Sequence, residues 1–145
     1  MGARLARGVA RALSEQGFVS LAEFRTPEGR RMDLMALGPK GELWCIEVKS
    51  SRADFMTDAK WERYLPYCDR FFFAVPDGFP DELLPAGEGM MRADAWGAEV
   101  LREAPERPVE PARRRSLTLA FARLAAQRLA AAGTGPAMAP QAPID

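Results

Sequence analysis

The sequence contains no histidine. That absence removes Ser-His-Asp and Cys-His catalysis, histidine-ligated zinc, and every hydrolase that takes imidazole as its base. Catalysis, if there is any, must run on carboxylates, lysine, tyrosine or a hard metal ion. Cysteine is nearly as scarce: Cys45 and Cys68 are the two, too few for an all-cysteine zinc site. Both lie among apolar neighbours and read as buried, reduced thiols. No apolar run approaches the roughly 18 residues of a membrane span, and Arg4, Arg7 and Arg11 stand where a secretory leader would be apolar. A cytosolic protein with no membrane partner is expected.

Excess charge is also lacking. Twenty basic and twenty acidic side chains cancel, so no general attraction to nucleic acid is built into the whole chain, and DNA contacts would rest on local patches. Lysine is rare, with only Lys40, Lys49 and Lys60 against seventeen arginines, so each lysine draws attention.

What is present suits one α/β domain of 145 residues with 48% hydrophobic side chains. Leu5, Val9, Ala12 and Leu13 recur at helical spacing up to the stop signal Gly17. Strand patterns follow over Phe18 to Arg25, Arg31 to Leu37 and Leu43 to Ser50. From Ser51 the pattern turns helical, with Trp61, Tyr64, Leu65 and Cys68 on one face and Pro66 ending or kinking the helix. The continuous apolar run Phe71-Phe72-Phe73-Ala74-Val75 predicts a central strand covered on both faces. Met90 to Leu101 predicts one or two further short strands. The domain is expected over 1–104, a Pro/Arg linker over 105–115, a helix capped by Ser116 over 116–132, and a disordered tail over 133–145. The segment from Arg107 onward is expected to be dispensable for the core, its helix being a candidate contact for a repair-protein partner.

The chemistry concentrates in the third strand, where Glu47 and Lys49 leave the same face while Ile46 and Val48 enter the other. If the preceding turn is the three-residue loop Pro39-Lys40-Gly41, residue numbers across the hairpin sum to 80 and Asp33 stands opposite Glu47. A four-residue loop would send Asp33 to the other face. Two carboxylates beside a lysine suit Mg2+ or Mn2+, with the Val48 carbonyl as a further ligand. The chemistry that fits is phosphodiester hydrolysis, with Lys49 orienting the attacking water and offsetting developing charge. Glu15 and Glu23 are each candidates to complete the acidic cluster, and the sequence leaves the choice open. Arg25, Arg30 and Arg31, around the turn before the acidic strand, are candidate contacts for the DNA backbone.

Asp33 followed by Glu47-Val48-Lys49, in this order of helix and strands, resembles the PD-(D/E)XK nuclease superfamily. The segments Arg31-Met32-Asp33-Leu34, Ile46-Glu47-Val48-Lys49-Ser50-Ser51, Asp58-Ala59-Lys60-Trp61 and Tyr67-Cys68-Asp69-Arg70, together with Gly97-Ala98-Glu99, are similar to the MmcB family of bacterial DNA-repair proteins over about residues 1–104. The resemblance implies a restriction-endonuclease-like core: a mixed central sheet flanked by helices in the order α-β-β-β-α-β, here with a C-terminal helix appended. It also implies a metal-dependent deoxyribonuclease of DNA repair, associated with the bacterial nucleoid when active, with Asp33 and Glu47 as metal ligands and Lys49 as the catalytic lysine. Met32 stands where the superfamily pattern has proline. Lys60 and Tyr64 resemble the Gln-x-x-x-Tyr element of the RecB-like branch, with lysine replacing glutamine, and imply substrate contacts. A noncatalytic DNA-binding or scaffold protein that keeps the nuclease fold is the alternative.

Overall fold

The computed structural model describes residues 1–58 and 60–134. Helix α1 (Gly2–Glu15) leads into a meander of β1 (Val19–Arg25), β2 (Arg31–Leu37) and β3 (Leu43–Val48). A short helix α2 (Arg52–Thr57) and a 3-10 helix (Trp61–Tyr67) cross to β4 (Arg70–Val75), which is followed by β5 (Gly89–Ala93), β6 (Ala98–Arg102) and α3 (Pro111–Leu129). The six strands form one sheet in sequence order. The β3–β4 and β4–β5 pairs are parallel and the other pairs antiparallel. The expected mixed sheet flanked by helices, with a helix appended at its C-terminal side, is therefore the observed architecture.

Two cores sandwich the sheet. On one face α1 buries Leu5, Val9 and Leu13 against Leu34, Ile46, Phe72 and Ala74. On the other, Phe71, Phe73 and Val75 of β4 pack with Cys45, Tyr67, Leu117 and Phe121. Alternation along β4 thus feeds both layers, which is why the strand reads as an unbroken apolar run. Gly8 lets α1 lie against the β5–β6 turn: a Cβ there would come within 1.8 Å of the Asp94 carbonyl oxygen.

The structure departs from expectation at two helices. The helix expected from Ser51 breaks after Thr57, because Asp58 takes extended backbone (φ −106°, ψ 92°) and its carboxylate accepts the Lys60 amide and the Lys49 ammonium. The chain resumes as a 3-10 helix containing Pro66, a residue with no amide to give an α-helical ladder. The C-terminal helix begins at Pro111 rather than Ser116, with Glu110 capping the amides of Ala112 and Arg113 and proline at a first-turn position where a missing N–H costs nothing.

The stretch before α3 is pinned rather than loose. Asp69 accepts the Val109 amide at 2.9 Å and the Leu43 amide at 2.8 Å, and it is paired by Arg114. Arg107 makes a two-point bond to Glu88, each contact 2.9 Å. Val109, Leu117 and Phe121 are buried in the core, so the chain beyond Arg107 packs into the domain rather than hanging from it. Gly133 and Thr134 end a π-helical turn; the rest of the expected disordered tail, 135–145, lies outside the described residues. No helix among the described residues is long and apolar enough to cross a membrane.

Candidate active site

The β2–β3 hairpin sets the site. Its loop is Pro39-Lys40-Gly41, closed by the Gly38 amide donating to the Glu42 carbonyl (2.8 Å) and the Gly41 amide to the Gly38 carbonyl (3.0 Å). Gly41 has φ +87°, the left-handed conformation that glycine adopts without steric cost. Pairing then runs Leu37 with Leu43, Met35 with Cys45 and Leu34 with Ile46, which brings Asp33 opposite Glu47. The four-residue loop does not occur.

The main-chain ladder stops at Leu34–Ile46, and the two carboxylates take over beyond it. The Asp33 amide donates to Glu47 Oε1 (3.4 Å) and the Val48 amide to Asp33 Oδ2 (2.8 Å). Glu47 is only 3% exposed. Its burial, then the Asp33 carboxylate beside it, push the Glu47 carboxyl up to about 10. A carboxylate so close in a desolvated site favours the protonated form of Glu47.

Lys49 follows directly, its amide tied to the Ala74 carbonyl of β4 (3.0 Å). Its Nζ lies 2.6 Å from Asp58 Oδ2, with the lysine side chain 6% exposed. Burial alone would raise the Asp58 carboxyl, but the Lys49 ammonium outweighs it and holds the group below its usual range. Tyr64 donates its hydroxyl to the Arg31 carbonyl (2.8 Å). Burial first, and the nearby Glu47 carboxyl next, push the Tyr64 phenol up to about 12, so it stays a neutral donor at physiological pH.

These groups open into one cleft of about 750 Å3, lined by Asp33, Glu47, Lys49, Asp58 and Tyr64 and, across from them, by α1 through Arg7. Val48, Glu23 and Arg31 also reach it. Glu23 has a positive φ of 53°, unusual for a residue with a Cβ. Its carbonyl and that of Ala22 accept from Arg128 of α3 (3.1 and 2.5 Å), so α3 braces a strained point of β1 at the cleft rim. The Glu23 side chain is exposed and 4.0 Å from Arg31.

Several expected residues lie elsewhere. Glu15 is in the last turn of α1, beyond Ala10, the last α1 residue that lines the cleft. Of the two candidate acids, Glu23 lines the cleft and Glu15 does not. Lys60 precedes the 3-10 helix and does not line the cleft. Because Lys60 lies outside the 3-10 helix that carries Tyr64, the α-helical face expected for the two is not formed. Arg25 turns back to the Gly29 carbonyl (3.0 Å), and neither Arg25 nor Arg30 lines the cleft. Sequence reasoning missed Asp58 and Arg7 as cleft residues. No spacing rule links Asp58 to Lys49, because the break in α2 brings them together.

Among the described residues, no three His, Cys, Asp or Glu side chains form a ready-made metal cage. The donors available, two carboxylates of hard oxygen at a strand end, match the sparse set that Mg2+ takes while keeping its waters better than they match a closed zinc site.

A family model described as DNA repair protein MmcB-like matches residues 2–135. Among solved structures, the chain is similar to SPO1766, a protein of unknown function from Silicibacter pomeroyi, with 56% identity and a TM-score of 0.89, over 94% of this chain and 95% of that one. No match was found among the curated proteins.

Proposed function

Since the chain belongs to the MmcB-like family of DNA repair proteins, with which a PD-(D/E)XK-type core is consistent, we propose that it hydrolyses DNA phosphodiester bonds with the help of Mg2+ or Mn2+. The observation that carries this reading is the meeting of Asp33, Glu47 and Lys49 in one cleft, at the point where the β2–β3 ladder gives way to side chains. A buried carboxyl pair beside a buried ammonium costs stability unless function repays it.

Asp33 and Glu47, with the Val48 carbonyl at the same strand end, would hold the ion. Bound there, it would supply Lewis-acid polarisation of the phosphoryl group and make water a better nucleophile. Lys49, kept straight by Asp58, orients that water and balances charge building on the phosphate. Tyr64 stays protonated, gives its proton to the Arg31 carbonyl, and presents a neutral hydroxyl oxygen as an acceptor at the cleft wall. Arg31 and Arg7 at the rim hold neighbouring phosphates, while Arg25, Arg30 and Lys60, outside the cleft, extend that contact along the backbone.

The test is cleavage of single-stranded, flap, gapped and branched DNA with Mg2+, Mn2+ or EDTA, for the wild type, Lys49→Ala and Asp33→Asn. Expected is metal-dependent cleavage that both variants lose while still binding DNA. DNA binding with no cleavage of any substrate by the wild type would make the protein a noncatalytic member of its fold.

A further inference from the structure

Arg31, Arg70, Arg92, Arg107 and Arg114 each pair with an acid, and other arginines are tied to carbonyls or a ring. Three on α1 have neither kind of partner among the described residues and are grouped on one helix. Arg4, Arg7 and Arg11 are exposed, and none makes an ion pair among the described residues. They stand at i, i+3 and i+7, one stripe of a helix. The sole acid on α1 is Glu15, in its last turn. At one side of the stripe is the cleft, which Arg7 itself lines.

At the other side is the β5–β6 turn. Gly8 follows Arg4 by four residues and precedes Arg11 by three, and is in close contact with Asp94 and Gly97, which places the turn within about one helical turn of both arginines. That turn holds Trp96 out with 74% of its surface exposed. The turn is rigid: Asp94 Oδ1 accepts the amides of Trp96 (2.7 Å) and Gly97 (3.0 Å), and the Asp94 amide donates to the Gly97 carbonyl (3.0 Å). Asp94 thus ties the turn that carries this exposed ring, and the turn packs on α1 at Gly8, close in sequence to Arg4 and Arg11. Leaving an indole in water is unfavourable without a partner for its face.

We infer that the Arg4–Arg7–Arg11 stripe of α1 and Trp96 form a track for single-stranded nucleic acid that leads out of the cleft, the arginines holding phosphates and the indole stacking on an unpaired base. This rests on the nuclease reading for its direction, since the track begins at Arg7 on the cleft wall. The chemistry favours a strand over the alternatives. An acidic protein surface would use the charges but has no flat base for the ring, whereas duplex DNA would use the charges but keeps its bases stacked away. The stripe from Arg4 to Arg11 rises about 10 Å along the helix, so the track suits a short single-stranded tail beside the reacting phosphate.

The experiment is fluorescence anisotropy of a labelled single-stranded oligonucleotide and a matching duplex in EDTA over a range of salt, with the full chain. Expected for Trp96→Ala is single-strand affinity weaker by about fivefold or more, duplex affinity unchanged, and recovery in Trp96→Phe. Expected for Arg4→Ala with Arg11→Ala is a salt dependence of single-strand binding reduced by about 1.4 in log–log slope, for two lost phosphate contacts. All these side chains are exposed, so unchanged thermal melts accompany both results. Equal single-strand affinity in Trp96→Ala, an unaltered salt slope in the arginine variant, or displacement of the oligonucleotide by polyglutamate of equal charge would overturn the track. Cleavage is read separately: a track confirmed in EDTA with no cleavage in Mg2+ sinks the nuclease reading alone, and cleavage with no effect of these variants sinks the track alone.

Discussion

The Lys49 ammonium and the Asp58 carboxylate lie 2.6 Å apart, the lysine almost fully buried and the aspartate 30% exposed. The two ends of this ion pair are not equivalent. Removing Asp58 strands a buried cation, whereas removing Lys49 leaves a carboxylate that water still reaches.

Asp58→Asn should therefore cost about 1–3 kcal/mol in stability, while Lys49→Met should be close to neutral. Cleavage separates them the other way. Lys49→Met should abolish it, and Asp58→Asn should lower it by up to about a hundredfold by letting the lysine drift from its aim. Denaturant melts and cleavage rates on one substrate check both. Equal stability losses in the two variants would show that the pair is a symmetric structural bridge.

A second prediction concerns acid stability. Burial alone would raise the Asp69 carboxyl, but the Arg114 guanidinium and the Leu43 and Val109 amides hold it below its usual value of 3.8. Between that value and the lowered one, the unfolded chain binds a proton that the folded chain does not. The stabilisation is complete above about pH 4 and is lost as pH falls through the lowered value. Asp69→Asn should cost about 3 kcal/mol at pH 7 and flatten the acid limb of a plot of melting temperature against pH. An acid limb as steep as that of the wild type would place the sensitive carboxylate elsewhere.

The pattern of hits and misses follows the range of the interactions involved. The Asp33–Glu47 register was legible because a three-residue loop ending in glycine fixes a hairpin locally, and β4 was legible because a strand buried on both faces cannot alternate. Asp58 was not legible: its role comes from the end of α2, which sets its carboxylate against Lys49 nine residues earlier in the chain. Arg113 to Arg115 fall in the expected Pro/Arg linker, yet Arg114 reaches Asp69, forty-five residues distant, and Arg113 sits 5.0 Å over the Tyr67 ring. Such partners are set by tertiary packing, and no local period announces them. Glu15 falls outside the cleft for a simpler reason, lying past the part of α1 that lines it.

The same packing makes the C-terminal helix structural. Phe121 is buried with its ring centroid 6.3 Å from that of Phe24, and Leu117 is as deeply buried. Phe121→Ala should cost about 3–5 kcal/mol and Leu117→Ala about 2–5 kcal/mol. Deletion from Arg107 onward should lower the melting temperature by well over ~10 °C or prevent folding. Truncated protein melting within a few degrees of the full chain would show that α3 rests on the sheet without supporting it.

The last prediction separates a metal site from a structural cluster at the same residues. Without a cation, the Asp33 carboxylate opposes ionisation of Glu47, so neutralising Asp33 relieves repulsion in the folded state. Asp33→Asn keeps an oxygen that can accept the Val48 amide, and in EDTA the variant should be as stable as the wild type or more so, in the way functional sites trade stability for activity. An ion that binds only the folded state raises stability by mass action, by about 2.7 kcal/mol at a hundred times its dissociation constant. Mg2+ should thus raise the melting temperature of the wild type and leave Asp33→Asn unmoved. If Asp33 were instead half of a structural ion pair with Lys49, its loss would destabilise the protein by about 3 kcal/mol with no dependence on metal. Melts of the wild type, Asp33→Asn and Lys49→Ala in EDTA and in Mg2+ decide: a destabilised Asp33→Asn beside a wild type indifferent to Mg2+ and Mn2+ would sink the nuclease reading.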